Sequence, residues 1–178
     1  MKTNILFGTM ILVTGFFLIP RWKAETTKSQ INFTIKGPFG TVHGKFTGLK
    51  SDIKFDPENP GKSSIKASID ASTVSTGIGL RNKDLREKEL WLNTEKYPLI
   101  TFQSEKIEQS KKGFIATGDL TLKGRSRSIS IPFTFDGKGN TGVFKGKFSI
   151  NREDFNIGKK GGSVGKTISI DLNIPVKK

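Results

Sequence analysis

The chain has 178 residues, no cysteine, and 30 basic against 16 acidic side chains, for a formal charge of +14. That length fits one domain, large enough to build a core or to enclose a cavity. The lack of cysteine excludes a disulfide scaffold and a lipid-bearing thiol. The lysines are spread from Lys28 to Lys177 rather than clustered, so the charge favours anionic surfaces and predicts no specific nucleic-acid partner.

Residues 5–19, "ILFGTMILVTGFFLI", carry no charge, follow Lys2 and precede "PRWK". The run is shorter than the roughly 20 residues of a membrane helix and suits the apolar part of an export signal. Residues 1–21 are therefore expected to be a signal peptide, and 22–178 a domain released to the periplasm or secreted. Trp22 and Lys23 stand where a signal peptidase prefers small residues, so an uncleaved inner-membrane anchor is the alternative. Without residues 1–20 the charge is still +13, because Lys2 is their only charged side chain.

From Gln30 onward the dominant signal has period two. Apolar residues alternate with polar ones at Ile31, Phe33 and Ile35, then at Val42 and Phe46 beyond a Gly-Pro turn. The pattern returns at Ile53 and Phe55, at Ile65 to Ile69, and from Ile100 through the C-terminal run Ile168 to Ile174. Turn material separates the runs: "DPENPG", "SKKG", "LKGRSR", "DGKGN" and "KKGGSVGK". Eight or nine half-wet strands with almost no room for crossover helices predict an all-β fold, an antiparallel eight-stranded barrel. A two-sheet sandwich is the weaker rival. Such a barrel is either filled by its own side chains or holds one small ligand, and periodicity does not choose between them.

Alternation stops between Ser75 and Pro98. The stretch "NKDLREKELWL" from Asn82 to Leu92 contains helix formers with a narrow apolar face at Leu85, Trp91 and Leu92. It predicts a short helix capped by Asn82 and laid over one barrel end, either as a lid or as a plain connector. Asp84 and Lys88, four apart, are spaced for an ion pair. Pro98 then returns the chain to extended backbone.

Catalytic and metal signatures are weak. "GGSVGKT" has Lys160 where a phosphate-binding loop needs glycine, and a strand pattern follows it. His43 is the only histidine, and no serine lies in a nucleophile elbow. No enzyme activity, metal or cofactor is expected.

Four segments, "FGTVHGKFTGLKSDIKFDPENP", "IDASTVSTGIGLRNKDLREKELWLNTEKYPLITFQS", "GDLTLKGRSRSISIPFTF" and "INREDFNIG", occur in an order that resembles the YceI-like family. These are lipid- or polyisoprenoid-binding proteins of bacterial envelopes with a lipocalin-like barrel. The resemblance implies an elongated apolar lumen for an amphiphilic lipid: a polyprenol, a quinone or a fatty amide. Arg81 and Leu85 match the ends of the family's arginine-aspartate-x-histidine-leucine signature, whereas Asn82 and Asp84 replace its aspartate and histidine. Arg152, Asp154 and Phe155 match a later signature in which Asn156 replaces glycine.

Taken with the alternation, this gives a lumen expected to be lined by Phe33, Ile35, Val42, Phe46, Ile69, Leu85, Trp91, Phe102, Leu120, Phe133, Phe148 and Ile170. Arg81, Asp84, Arg152 and Asp154 are expected to meet a headgroup or to form a structural polar network. Transient contact with an anionic envelope surface is also expected, and the sequence fixes no oligomeric state. The competing reading is a non-catalytic envelope adaptor with a packed barrel and a basic outer surface.

Overall fold

A computed structural model describes residues 19–178. Of the expected leader, residues 1–18 lie outside that range. Ten strands form one antiparallel sheet: β1 (Arg21–Ala24), β2 (Gln30–Gly37), β3 (Gly40–Phe46), β4 (Lys50–Lys54), β5 (Ser64–Asp70), β6 (Leu99–Ser110), β7 (Gly113–Leu122), β8 (Arg125–Lys138), β9 (Thr141–Asn151) and β10 (Thr167–Lys177). Among the described residues there is a single α-helix, α1 (Gly79–Glu87), between β5 and β6.

The strands close into an eight-position barrel because two positions are each shared by two short strands. Along one edge of β10, β1 pairs through Ala24 with Val176, and β2 pairs from Gln30 with Asn173 to Ile35 with Ile168. β4 pairs with β1, and β3 with β2, so those two also follow one another around the wall. β5 to β10 then complete the ring as successive antiparallel neighbours. Closing the ring through β1 and β10 removes the exposed edges that an open sheet would carry, except along the outer side of β3.

The two ends differ. At one end, Phe55 is fully buried, and its ring stands edge-on to those of Phe114, Phe133, Phe135 and Phe144 at 5.0 to 5.5 Å. Trp22 adds an edge contact to Phe135 at 5.0 Å and donates its indole N–H to Phe55 O at 2.9 Å. These aromatics form a solid floor, with quadrupole-favoured edge geometry adding to their buried area.

The other end is left open by interruptions in the pairing. The outer edge of β3 has no strand partner among the described residues and meets only Ser75, through a bridge at Lys45. β8 and β9 pair only from Phe133 with Gly146 to Lys138 with Thr141, so their remaining lengths part toward this end. β6 carries a bulge between Ser104 and Lys106 opposite Gly118. A Cβ on Gly118 would collide with Gln103 O, which is why the position has no side chain.

The helix differs from its expected span. α1 begins at Gly79 and ends at Glu87, and Asn82 lies within it rather than capping it. Its cap position is Ile78, with no side-chain bond. No α1 residue is fully buried, and the apolar contribution of the region comes from half-buried Leu85 and Trp91 and buried Leu92. Turns after α1 carry the last two, which explains why a single helical face did not.

Candidate functional site

Above the aromatic floor the barrel is hollow. A cavity of about 690 Å³ opens at the end bounded by α1, the β2–β3 hairpin and the 159–166 loop. Its size is within the roughly 300–1,000 Å³ of ligand sites. Strand alternation builds its wall, sending every second side chain inward. The structure places Phe33, Ile35, Val42, Phe46, Ile69, Leu85, Trp91, Phe102, Leu120, Phe133, Phe148 and Ile170 along this cavity. Phe133 also belongs to the floor, its ring 5.4 Å from that of Phe114.

Two close contacts shape the wall. Phe33 faces Gly44 across the β2–β3 pair, and a Cβ on Gly44 would strike the Phe33 ring. The glycine therefore lets the ring lie flat on the strand. Phe46 packs beside it at 5.5 Å.

Polar groups are few and differ in kind. Arg152 is 1 % exposed, and four of its N–H groups donate to backbone carbonyls: Nε to Gly165 at 2.9 Å, Nη1 to Ile157 at 2.6 Å, and Nη2 to Val164 and Lys159 at 2.8 and 3.1 Å. It staples the 157–165 loop across the barrel end, and although it borders the cavity its donors are committed to that loop. Its nearest carboxylate is Glu153 at 3.7 Å. Asp154 is exposed, accepts from Asn151 Nδ2 at 3.4 Å and does not border the cavity, so it shares no network with Arg152. Asn156 holds a left-handed conformation at φ 53°, the backbone that a glycine would supply.

Arg81 and Asp84, on α1, both border the cavity. Asp84 is engaged by Lys88 at 2.9 Å, the pair anticipated from spacing. Arg81 is half-buried and has no hydrogen-bond or ion-pair partner among the described residues. A guanidinium with free donors at the rim of an apolar cavity is suited to meet an anion. Deeper in the wall, Ser51 Oγ on β4 is buried without a hydrogen-bond partner. An occupant with a polar group at that depth would find a donor there.

Some site residues carried no signal in the sequence. Phe39, Ile78 and Leu80 form part of the rim, although Phe39 looked like turn material and Ile78 and Leu80 fell where alternation had lapsed. Around the rim the segments are fastened to one another. Gly158 N donates to Leu90 O at 2.7 Å, and Lys123 Nζ donates to the carbonyls of Glu89 and Asn156. Desolvation holds the Lys123 ammonium below the ordinary lysine range, against an opposing pull from Glu89.

Comparison with known proteins follows the same outline. The YceI-like domain profile matches residues 22–176. A UPF0312 protein of Yersinia enterocolitica is 27% identical over 176 residues, covering 94% of this chain and 91% of that protein. Among solved structures, BcnA of Burkholderia cenocepacia superposes with a TM-score of 0.80 at 26% identity, over 85% of this chain and 98% of BcnA. A polyisoprenoid-binding domain of Saccharophagus degradans superposes with a TM-score of 0.68 at 16% identity, over 88% and 97%.

Proposed function

The chain belongs to the YceI-like family, and from that premise we propose that it is a non-catalytic carrier of one amphiphilic lipid, an isoprenoid or fatty chain held tail-first in the barrel. The observation that carries this reading is the cavity of about 690 Å³, walled by aliphatic and aromatic side chains above the aromatic floor. Each methylene buried there gains about 0.8 kcal/mol, so a run of about ten gains roughly 8 kcal/mol before the loss of chain freedom is subtracted. The polyisoprenoid-binding domain with the same fold supports the choice of ligand class. A barrel packed throughout, as the adaptor reading requires, is at odds with a hollow of this size.

The headgroup would rest at the rim beside Arg81, with no cofactor or metal taking part. The apolar run at 5–19 supports export to the periplasm or beyond, by way of a cleaved leader or an inner-membrane anchor. β1 begins at Arg21, and Pro20 O accepts from Phe55 N at 3.0 Å. A cleavage that leaves the barrel whole therefore falls before Pro20.

Lipid extraction and native mass spectrometry of protein purified from its own host test the reading. A co-purifying chain of defined mass is expected. An empty protein that also refuses polyprenols, quinones and fatty amides at micromolar concentration would overturn it.

A further inference from the structure

Large apolar side chains exposed to solvent are gathered at one end of the barrel. Phe39 is 101% exposed, Leu80 73%, Leu99 52%, and Ile78 and Leu90 49% each. Phe39 tips the β2–β3 hairpin, Ile78 and Leu80 open α1, and all three border the cavity mouth. Leu99 starts β6 opposite Asp70, at the mouth end of β5, and Leu90 is tied to Gly158 beside them. Single exposed hydrophobics are ordinary on a protein surface, but a group confined to the rim of a cavity marks an interaction site. The floor end, among the described residues, has none of this size exposed.

The charge beside this lip is suited to an anionic partner. The 159–166 loop carries exposed Lys159, Lys160 and Lys166, and its Gly165 N donates to Lys36 O at 2.7 Å, next to the hairpin tip. Two carboxylates stand on that side, Glu153, which accepts from Gly161 N at 3.0 Å, and exposed Asp154, which accepts from Asn151 Nδ2 at 3.4 Å; the three lysines outnumber them. On α1 the acids are matched, Asp84 by Lys88 at 2.9 Å and Glu87 by Lys83 at 3.9 Å.

We propose that the mouth docks on an anionic lipid bilayer, with Phe39 and Leu80 inserted among the headgroups and the 159–166 lysines resting on the lipid phosphates. An apolar lip with a basic flank is the arrangement by which peripheral proteins lie on membranes. The cavity opens through this lip, so its occupant is one that can pass an apolar chain inward. A bilayer does that, and a docked chain would move between bilayer and lumen without crossing water. The docking rests on the lipid-carrier reading for its purpose but not for its measurement.

The chain lacks cysteine, so Thr41→Cys beside the hairpin tip and Asn140→Cys at the floor end each accept one environment-sensitive dye. Full-length protein is mixed with phosphatidylcholine vesicles, with and without phosphatidylglycerol, that contain no isoprenoid. The expected result is a blue shift at position 41 on the anionic vesicles only, with none at position 140. Phe39→Ser combined with Leu80→Ser should abolish it while leaving the unfolding midpoint in place. Replacing Lys159, Lys160 and Lys166 by Gln should weaken vesicle affinity by at least about tenfold. No shift, or equal shifts at both positions, overturns the proposal. So does sedimentation showing a wild-type dimer that Phe39→Ser dissolves, because the lip would then be covered by a second copy. Because the vesicles hold no isoprenoid, docking fails or succeeds independently of the lipid-extraction result.

Discussion

Asn82 accepts two hydrogen bonds from Thr76, one from its backbone N–H at 2.8 Å and one from its hydroxyl at 2.7 Å. The pair ties the segment before α1 to the helix itself and so fixes one side of the cavity rim. An aspartate at position 82, the residue usual in the family signature, would accept the same two bonds. Asn82→Asp is therefore expected to preserve stability to within about 0.5 kcal/mol, whereas Asn82→Ala should lose about 1–2 kcal/mol. Denaturant unfolding midpoints of the two variants check this.

Arg81 is expected to select the headgroup. Arg81→Gln should leave the unfolding midpoint unchanged and weaken binding of a phosphorylated polyprenol by about 1.5 kcal/mol, roughly tenfold, since charge-assisted bonds are worth about 1.5–3 kcal/mol. Binding of the corresponding alcohol should barely change. Calorimetric titration of both ligands against both proteins reads the difference, and equal losses would remove Arg81 from the headgroup site.

Arg152 is expected to act on stability rather than on ligand choice. Arg152→Ala strands four loop carbonyls, that of Ile157 buried and the other three partly so, and should lower stability by about 3 kcal/mol. Arg152→Lys should rescue little, because a single ammonium does not reproduce the planar fork. Hydrogen exchange should show the 157–165 loop opening first in both variants.

Floor and wall should respond oppositely to mutation. Phe55→Ala removes the ring at the centre of the aromatic floor and should destabilise by about 3–5 kcal/mol. Phe102→Trp, on the cavity wall, should lose only about 1–3 kcal/mol while excluding a long chain. Thermal unfolding combined with lipid extraction separates the two effects.

Acid should lower the stability of the protein through carboxylates that its turns hold ionised. Glu153 lies below its ordinary 4.5, chiefly through the Gly161 N–H, while Asp56 and Asp70 lie below 3.8, chiefly through the Asn59 and Ser72 side chains. In acid the unfolded chain thus binds more protons than the folded one. Their stabilisation is complete above the ordinary values and is lost as pH falls through the lower, folded ones. Lys123, with its pKa held below 10.5 by desolvation, makes stability rise with pH as the alkaline range is approached. Urea titrations across pH should show a decline setting in below about pH 4.5.

Period-two alternation made the strands and the lumen wall legible, because a half-buried strand writes its inner face into every second residue. The same rule missed the divided first position, where β1 and β2 are separated by residues 25–29, since a break in pairing leaves alternation on either side untouched. Helix propensity located α1 but placed its start at Asn82, a residue whose capping chemistry is used sideways on Thr76. Arg152 read equally well as a headgroup ligand, because which carbonyls a loop turns toward a guanidinium is decided by tertiary structure. The lip at Phe39, Ile78 and Leu80 was hidden for the opposite reason: it breaks the pattern that reveals everything else.

The ring closes where residue 24 meets residue 176, so its last seam joins the two extremes of the domain. Contacts this distant in sequence form late and slowly, because a long loop must be closed before they are rewarded. During synthesis the barrel stays unsealed until its final strand has left the ribosome, so the chain remains unlocked for the whole of translation. A truncation that removes Val176 and Lys177 takes away the β1–β10 register and should leave a barrel that does not seal.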